Sequence, residues 1–470
     1  MTPISRRDFL RRSSAVAATS VVASVQPPRS RSNVILIISD QFRWDCLGAN
    51  GRTPLNLTPN LDSMAREGAN FANALTNQPV CAPSRACLFT GQYANRHGVW
   101  RNAVPLPLDA VTMAKVLRGA GYTANYIGKW HLAPQPAGDT TAAGPVPPAY
   151  RGGFDDFWEG ANVLERTSHP YEGSIWDAAG SEIRFANQYR VDFITDRVVR
   201  FLDGHAREPF FLVVSYLEPH FQNDCNCFVA PNGYADRYRN AFVPRDLSFF
   251  PGDWQQQLPD YYGCIASVDE NVGRLRAELV RRRLADRTIV AFVSDHGCHF
   301  RTRNTEYKRS GHESSIHVPL VIAGPGFGGR GTIRDAISHV DLAPTLLDAV
   351  GVAVPDAMQG HRATFALERR AAGSGDEVFI QISESMTARA LRTPRWTYVV
   401  AVPDGTSQAS AARYVEYQLY DLLADSDQLL NLAGRRETRD VSARLRERLL
   451  ARMADAGEAR AEIAPAPLYP

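Results

Sequence analysis

Uninterrupted apolar runs alternate along this chain with segments of helical pattern, and few fold classes accommodate that alternation. The runs are Val34–Ile38, Tyr122–Ile127, Phe210–Ser215, Thr288–Val293 and Val318–Ala323. The helical segments are Asn60–Glu67, Thr112–Ala120, Tyr261–Leu284 and Leu342–Val350. Strands that are apolar on both faces must be covered on both faces. The pattern therefore predicts an α/β fold whose mostly parallel sheet has helices on both sides.

Four of the predicted strands run directly into polar clusters. The clusters are Ser39-Asp40-Gln41, Gly128-Lys129-Trp130-His131, Glu218-Pro219-His220 and Ser294-Asp295-His296-Gly297. In open α/β sheets, ligands bind beyond the carboxyl ends of the strands. We therefore expect the four clusters to converge on one functional site.

The composition changes after about residue 365, where a polar, glycine-containing segment interrupts the α/β pattern. Short strand-like pieces and one helix follow, at Val378–Ile382, Ala388–Arg392, Thr397–Val402 and Val441–Ala454. We predict a large α/β domain over residues 31–365 and a smaller C-terminal α+β domain over 366–470, with a short antiparallel sheet.

The first 30 residues have the pattern of an export signal. Arg6 and Arg7 precede a weakly apolar stretch, Ala15–Val25, that ends at Pro27-Pro28. This predicts a twin-arginine signal peptide over residues 1–30, a periplasmic or secreted location, and the twin-arginine translocon as a partner. No apolar run reaches the ~18 residues of a membrane-spanning helix, so we expect no integral membrane segment in the mature protein. A formal net charge of +2 argues against a nucleic-acid partner.

The segment Cys81-Ala82-Pro83-Ser84-Arg85 is the most specific motif of the chain. From the composition, a Cys-x-Pro-x-Arg match is expected by chance only about 0.05 times. Pro83 is suited to the first turn of a helix. Cys81 would then lie at a helix N-terminus, where amide groups and the helix dipole favour an anion.

With this motif the chain resembles the sulfatase family of the alkaline-phosphatase-like superfamily, from Asn33 to about Ala433. Further family motifs occur in the expected order: Ser39-Asp40-Gln41 with Asp45, Thr58-Pro59-Asn60-Leu61-Asp62, Gly128-Lys129-Trp130-His131, Ser294-Asp295-His296-Gly297, Lys308 with Glu313-Ser314-Ser315, Val318-Pro319 and Leu419-Tyr420-Asp421-Leu422. The resemblance implies that a formylglycine-generating enzyme oxidises Cys81 to Cα-formylglycine. One hydroxyl of its hydrate attacks sulfur and the alcohol leaves. The second hydroxyl then loses its proton, which breaks the bond to the sulfate, restores the aldehyde and releases inorganic sulfate.

The resemblance also implies a metal site formed by Asp40, Gln41, Asp295, His296 and residue 81. Gln41 replaces an aspartate that many relatives carry, and His296 stands where many relatives have an amide side chain. Oxygen ligands favour calcium, with magnesium as an alternative, and the single imidazole makes manganese a further alternative.

The remaining catalytic residues implied by the resemblance are basic. Lys129 and Lys308 are two of only three lysines among 52 lysines and arginines, and both occupy family motif positions. An ammonium is a compact charge for sulfate oxygens. Arg85 is expected to support the formylglycine. His131 and His220 are expected to contact the sulfate or the leaving oxygen, where a histidine can exchange protons near neutral pH.

These features predict hydrolysis of sulfate esters, on a sulfated small molecule or glycan. A phosphonate monoester or phosphodiester hydrolase of the same superfamily is the alternative, since Gln41 and His296 also occur in such relatives. A non-catalytic binding protein on the same scaffold is a third possibility, and the intact set of catalytic residue types argues against it. Cys81 is expected to be free of disulfides. Cys225 and Cys227 are expected to be incidental thiols of a loop.

Overall fold

The structure is a computed structural model that describes residues 31–135, 144–205, 209–363 and 377–469. Its first thirteen strands are β1 (Asn33–Asp40), β2 (Ala69–Phe71), β3 (Ala74–Leu75), β4 (Thr123–Lys129), β5 (Phe157–Ala161), β6 (Ser168–His169), β7 (Glu172–Asp177), β8 (Glu182–Ala186), β9 (Phe210–Pro219), β10 (Thr288–Ser294), β11 (Leu320–Ala323), β12 (Gly331–Ile333) and β13 (Ile337–Ser338). Eleven of these strands form one sheet in the order β12-β2-β11-β10-β1-β9-β4-β5-β7-β6, with β8 beside β7. Strands β3 and β13 form a separate parallel pair.

The helices of the described residues are α1 (Pro59–Glu67), α2 (Cys81–Thr90), α3 (Ala94–His97), α4 (Met113–Gly119), α5 (Leu164–Thr167), α6 (Arg190–His205), α7 (Tyr234–Arg237), α8 (Arg245–Ser248), α9 (Trp254–Arg281), α10 (Glu313–Ile316), α11 (His339–Ala349) and α12 (Arg439–Asp455). Among the described residues, no helix combines the length and hydrophobicity that crossing a bilayer requires.

The central strands β10, β1, β9, β4 and β5 are mutually parallel, as the apolar runs predict. Alternate residues of β1 enter different cores. Ile35 and Ile37 pack in one core with residues of α6 and α9, while Val34, Leu36 and Ile38 pack in another with residues of α2, α4 and α11. Helices therefore cover both faces of the sheet, which confirms the predicted fold class.

The register of these parallel strands places their carboxyl ends at one edge. Ser39 of β1 pairs with Ser294 of β10, and Asp40 of β1 pairs with Pro219 of β9. The predicted strand Val318–Ala323 differs from expectation in one respect, because it begins at Leu320 and runs antiparallel to β10. The four polar clusters of the sequence follow the parallel strands and therefore lie on the same edge.

A second sheet contains β14 (Val378–Ile382), β15 (Ala388–Arg392), β16 (Trp396–Ala401), β17 (Arg413–Asp421) and β18 (Glu462–Ala464). Its first four strands pair in antiparallel fashion, and β18 adds in parallel to β17. The described residues from Ser32 onward form one compact unit. The predicted domain boundary at residue 365 and the predicted signal peptide lie outside the described residues, so both stay predictions.

Sequence patterns did not reveal the region from β5 to α6. Strands β5 to β8 are short, and β7 and β8 are half-exposed, so their apolar runs are interrupted by polar residues. Trp158 is buried on β5 and stacks on Tyr126 with ring centroids 5.1 Å apart. This part of the sheet carries a short helix, α5, toward the edge where the polar clusters meet.

Candidate active site

Cys81 is the first residue of α2, and every residue of that helix is buried. Val80 before it is extended, and Gly91 after the helix adopts φ 63°, which L-residues rarely adopt. Pro83 lies in the first turn, where its missing N–H costs no hydrogen bond. The amide of Ala82 is satisfied by Asn102 Oδ1 at 3.1 Å. The local sequence therefore places a cysteine at a buried helix N-terminus, as predicted.

Four predicted ligands, Asp40, Cys81, Asp295 and His296, form one buried cluster whose ligand atoms all lie within 4.8 Å of one another. His296 Nε2 is 3.3 Å from Cys81 Sγ, 3.4 Å from Asp40 Oδ1 and 3.5 Å from Asp295 Oδ1. His296 Nδ1 donates to the carbonyl of Gly297 at 3.0 Å. The Nε2 lone pair is therefore directed at the cluster, as in a metal ligand.

Arg85 bridges the carboxylates of Asp40 and Asp295. Its Nε donates to Asp295 Oδ2 at 3.1 Å and its Nη2 to Asp40 Oδ2 at 3.2 Å. Its Nη1 donates to the Lys129 carbonyl and to Ser215 Oγ. All four contacts are buried, so the guanidinium is fixed. It occupies both Oδ2 atoms and leaves both Oδ1 atoms facing His296.

The donor set fits a divalent cation. Burial opposes ionisation of Asp40, yet the positive charges of Lys129, His220 and Lys308 hold its pKa well below the usual range. Burial and the neighbouring Asp40 charge raise the pKa of Asp295. Two buried carboxylates beside one imidazole nitrogen are a costly arrangement that a bound cation would relieve.

Gln41 adds a further oxygen. Its backbone N–H donates to Asp295 Oδ1 at 3.2 Å, and its Nε2 donates to Cys298 Sγ at 3.3 Å. Its Oε1 is buried and has no hydrogen-bond partner among the described residues. Gln41 adopts φ 72°, a conformation that turns the chain directly after β1. A buried amide oxygen with no donor is suited to a hard cation.

Lys129 and Lys308 approach the cluster from two sides. Lys129 Nζ lies 2.7 Å from Asp40 Oδ2 and 2.9 Å from Glu165 Oε1. Lys308 Nζ lies 3.0 Å from Cys81 Sγ and 3.1 Å from His296 Nε2. Although burial raises the pKa of the Cys81 thiol, Lys129, Lys308 and His296 bring it well below its ordinary value. Two of the three lysines of this arginine-rich chain thus lie near residue 81.

His131 and His220 complete the site. His220 Nδ1 donates to the Phe221 carbonyl at 2.7 Å, and its Nε2 lies 3.3 Å from Lys308 Nζ. His131 adopts φ 64°, and its Nδ1 is buried with no partner within the part of the chain that the structure describes. Its side chain also hydrogen-bonds Cys81. Every predicted catalytic and metal-binding residue is therefore within this one cluster.

Two carboxylates of the site were not foreseen. Glu165 lies on α5, which follows the unrecognised strand β5, so no motif pointed to it. Glu384 lies on the β14–β15 hairpin and accepts from the Asn102 backbone at 2.8 Å and from Arg309 Nη2 at 2.8 Å. A carboxylate four residues after the end of a strand is the signal that could identify Glu165, once β5 is recognised as a strand. Glu384 has no signal in the sequence, because its partners are distant along the chain.

Other polar residues near the motifs are structural. Glu313 accepts from Arg392 and is bound by His317 Nδ1 at 2.8 Å, while His317 Nε2 donates to the Ala72 carbonyl. Cys225 and Cys227 form a disulfide, contrary to the expected free thiols, because the turn brings their Cα atoms to 5.3 Å. Cys81 is free, as predicted.

Comparison with known proteins agrees with this geometry. The sequence model of the sulfatase family matches residues 32–352, and that of the N-sulphoglucosamine sulphohydrolase C-terminal region matches residues 305–455. An ulvan-active sulfatase of Formosa agariphila is 30% identical over 450 residues, covering 92% of this chain and 83% of that protein.

Solved structures show the same relationship. A sulfatase of Bacteroides fragilis superimposes with a TM-score of 0.80 at 26% identity, covering 93% of this chain and 98% of that chain. The phosphonate monoester hydrolase of Agrobacterium radiobacter superimposes with a TM-score of 0.67 at 25% identity, covering 91% and 96%.

The fold is therefore that of the alkaline-phosphatase-like superfamily, and the site is that of a hydrolase acting on an anionic ester. The chain belongs to the sulfatase family and is a sulfatase, an enzyme that hydrolyses sulfate esters.

Proposed function

We propose that this sulfatase acts on sulfated glycans through a Cα-formylglycine made from Cys81, with one divalent cation beside it. The observation that carries the proposal is the surroundings of Cys81 at the buried N-terminus of α2. Lys308 Nζ lies 3.0 Å and His296 Nε2 3.3 Å from its sulfur. Structural cysteines lie in apolar surroundings, whereas reactive ones lie among cations and at helix N-termini.

Asp40, Asp295, His296 and residue 81 would hold the cation, and Gln41 Oε1 is a fifth donor. When bound, the cation supplies positive charge that lowers the pKa of a hydroxyl and draws electron density from the sulfate. Calcium is the first choice because oxygen donors predominate, magnesium is an alternative on the same ground, and the imidazole makes manganese a further alternative. The formylglycine, as its hydrate, supplies the nucleophilic hydroxyl for sulfur.

The residues of this chain supply orientation, charge and a proton. Arg85 keeps both Oδ1 atoms turned toward the cluster. Lys129 and Lys308 give the sulfate oxygens two compact positive charges. The departing alcohol needs a proton on its oxygen, and His131 and His220 present ring nitrogens beside residue 81 from which a proton can be transferred.

The modification is tested on protein produced together with a formylglycine-generating enzyme. Mass spectrometry of the peptide bearing residue 81 should show formylglycine in place of cysteine, and sulfate release should follow the modified fraction. Cys81→Ala should abolish release. Cys87→Ala is the matched control, because Cys87 is a buried cysteine of the same helix that contacts His97 and lies outside the cluster. Sulfate release that survives Cys81→Ala would contradict the proposal.

The substrate class is supported by the names of the relatives. One relative is active on ulvan, and the C-terminal region matches that of N-sulphoglucosamine sulphohydrolase. A panel of sulfated mono- and oligosaccharides, assayed for free sulfate beside simple aryl sulfates, tests this. Turnover confined to aryl sulfates would exclude a glycan substrate.

A phosphonate monoester or phosphodiester hydrolase is the second candidate. His296 and Gln41 favour it, together with the structural likeness to the Agrobacterium radiobacter enzyme. An aryl sulfate and the matching aryl phosphonate monoester, compared by kcat/KM at equal metal loading, separate the two activities. We expect the sulfate to be preferred.

We further propose that residues 1–30 direct export through the twin-arginine translocon to the periplasm or the medium, after the modification has taken place. Arg6 and Arg7 followed by the apolar stretch support this proposal. Replacing both arginines by lysine should retain active enzyme in the cytoplasm of a host with this translocon. Unchanged export of that variant would contradict it.

A further inference from the structure

Glu165 is a buried carboxylate beside the cluster for which neither the sequence motifs nor the proposed mechanism has a use. It lies on α5, four positions beyond Ala161, and Ala161 pairs in register with Lys129 on the adjacent strand β4. Its Oε1 lies 2.9 Å from Lys129 Nζ, which in turn lies 2.7 Å from Asp40 Oδ2. Glu165 is thus two contacts away from the predicted metal ligands and beside a predicted sulfate-binding lysine.

The second oxygen of Glu165 is unsatisfied. The side chain is 5% exposed, and Oε2 is buried with no partner among the described residues. Burial raises the pKa of Glu165, but the neighbouring positive groups lower it to about 2; these groups are Lys129, His131 and His220. The carboxylate is therefore ionised at neutral pH. Leaving an ionised oxygen buried without a donor is unfavourable. Such an atom is suited to accept a hydrogen bond from a bound ligand.

The chemistry of that ligand group follows from its neighbours. Sulfate oxygens are acceptors and carry negative charge, so they are repelled by Glu165 and bind the lysines instead. A donor must therefore come from the part of the substrate that carries the sulfate. In a vicinal arrangement, a hydroxyl or amino group lies within hydrogen-bond range of the ester oxygen, and Glu165 stands beside the lysine expected to bind near that oxygen.

From this position we propose that Glu165 Oε2 accepts a hydrogen bond from a hydroxyl or amino group on the carbon next to the sulfated carbon. Glu165 is then a specificity-determining residue that selects sulfate esters with a free vicinal donor, as sugars have, over esters without one. The same carboxylate disfavours a vicinal sulfate or carboxylate through charge repulsion. This inference rests on the proposed function, because it assumes that a sulfate ester binds beside Lys129.

Two small esters isolate the vicinal donor. Catechol monosulfate carries a hydroxyl next to the ester, and phenyl sulfate is the same ring without it. The wild-type enzyme should prefer catechol monosulfate in kcat/KM by about tenfold or more, which corresponds to about 1.4 kcal/mol. Because the two leaving groups differ slightly in intrinsic reactivity, the quantity compared between proteins is the ratio of the two kcat/KM values.

Glu165→Gln should reduce this ratio by at least about fivefold, because a neutral amide oxygen is the weaker acceptor. Its turnover of phenyl sulfate should also fall, since Lys129 loses an ionic partner, but that loss affects both esters and leaves the ratio unaffected. Glu165→Asp keeps the negative charge but moves the carboxylate oxygen away from the vicinal donor of the substrate. This variant replaces Glu165→Gln in the test if Glu165→Gln does not fold. It should reduce the ratio as well.

Glu159→Gln is the control variant. Glu159 is a buried carboxylate on β5 whose two oxygens are both occupied by Arg197. Its removal perturbs the same region without touching the cluster, so the ratio should stay at the wild-type value. A wild-type ratio near one, or a Glu165→Gln ratio equal to that of the wild type, would overturn the assignment of Glu165. Absence of sulfate release from both esters and from all sugars, by protein with modified residue 81, would instead overturn the proposed function.

Discussion

Lys308 Nζ lies 3.0 Å from Cys81 Sγ, although 227 residues separate them in the chain. The same nitrogen lies 3.1 Å from His296 Nε2 and 3.3 Å from His220 Nε2. One ammonium thus touches Cys81, His296 and His220 at the same time. A guanidinium is larger and planar, and it could not occupy that position without displacing one of the three.

We therefore expect Lys308→Arg to lower kcat by at least about a hundredfold, because the larger guanidinium cannot place its charge at the same point against the transition state. The melting temperature should change little, since Lys308 is not part of the apolar cores. Lys115→Arg is the matched control, as Lys115 holds only the carbonyls of Leu108 and Ala110 near the surface. Steady-state kinetics of both variants check this. Near-wild-type kcat in Lys308→Arg would show that the ammonium is dispensable.

Asp295→Asn should weaken metal binding far more than folding. The pKa of Asp295 is raised by burial and by Asp40, so its charge is unfavourable without a cation, and neutralising it relieves repulsion. With calcium present, the variant lacks one anionic ligand and should bind on the order of a hundredfold more weakly. Calorimetric titration with calcium and melting curves with and without chelator check this. Asp286→Asn, at an exposed carboxylate, should behave as the wild type. Equal calcium affinity in Asp295→Asn would contradict the site.

Glu313→Gln should destabilise the protein by about 3 kcal/mol, because it leaves Arg392 buried without its charge partner. Burial raises the pKa of Glu313, but the charges of Arg392 and His317 lower it below its ordinary value of 4.5. A carboxylate with a lowered pKa stabilises the fold above that value and loses its contribution as the pH falls below it. Urea unfolding should therefore show the largest difference between wild type and variant near pH 7, and a smaller one below about pH 4.5. A difference that does not depend on pH would contradict the ion pair.

Thiol titration of the native protein should detect almost no reactive cysteine. The free cysteines are all buried, and Cys225 and Cys227 are joined in a disulfide. Mild reduction should release two accessible thiols, and a Cys225→Ser/Cys227→Ser double variant should release none. Two reactive thiols before reduction would show that the loop is not disulfide-bonded in solution.

The sequence allowed the sheet and the site to be predicted where the physics is local. Val34–Ile38 and its counterparts are solid apolar runs, and parallel strands necessarily end at one edge, so the meeting of Asp40, Lys129, His220 and Asp295 follows from pattern alone. Pro83 in the Cys81 motif predicts that a helix begins at Cys81, and the structure has that helix.

The residues that were missed depend on long-range contacts. Strands β7 and β8 have polar and half-exposed positions, so their sequence pattern resembles that of a loop. The neighbouring helix α5, which carries Glu165, could therefore not be predicted either. Glu384 meets the backbone of Asn102 across 282 residues, which no local pattern encodes. The bond between Cys225 and Cys227 depends on how the turn closes.

Glu384 has a consequence for the role of the second sheet. One carboxylate oxygen of Glu384 accepts a hydrogen bond from the backbone N–H of Asn102, and the Asn102 side chain caps the helix that begins at Cys81. The other oxygen accepts from Arg309, the neighbour of Lys308. The C-terminal hairpin thereby connects the segment that caps the Cys81 helix with the segment that carries Lys308. A shortened protein that ends before this hairpin would keep every residue of the cluster. It would nevertheless lack the Glu384 contacts that hold the segments carrying these residues in position.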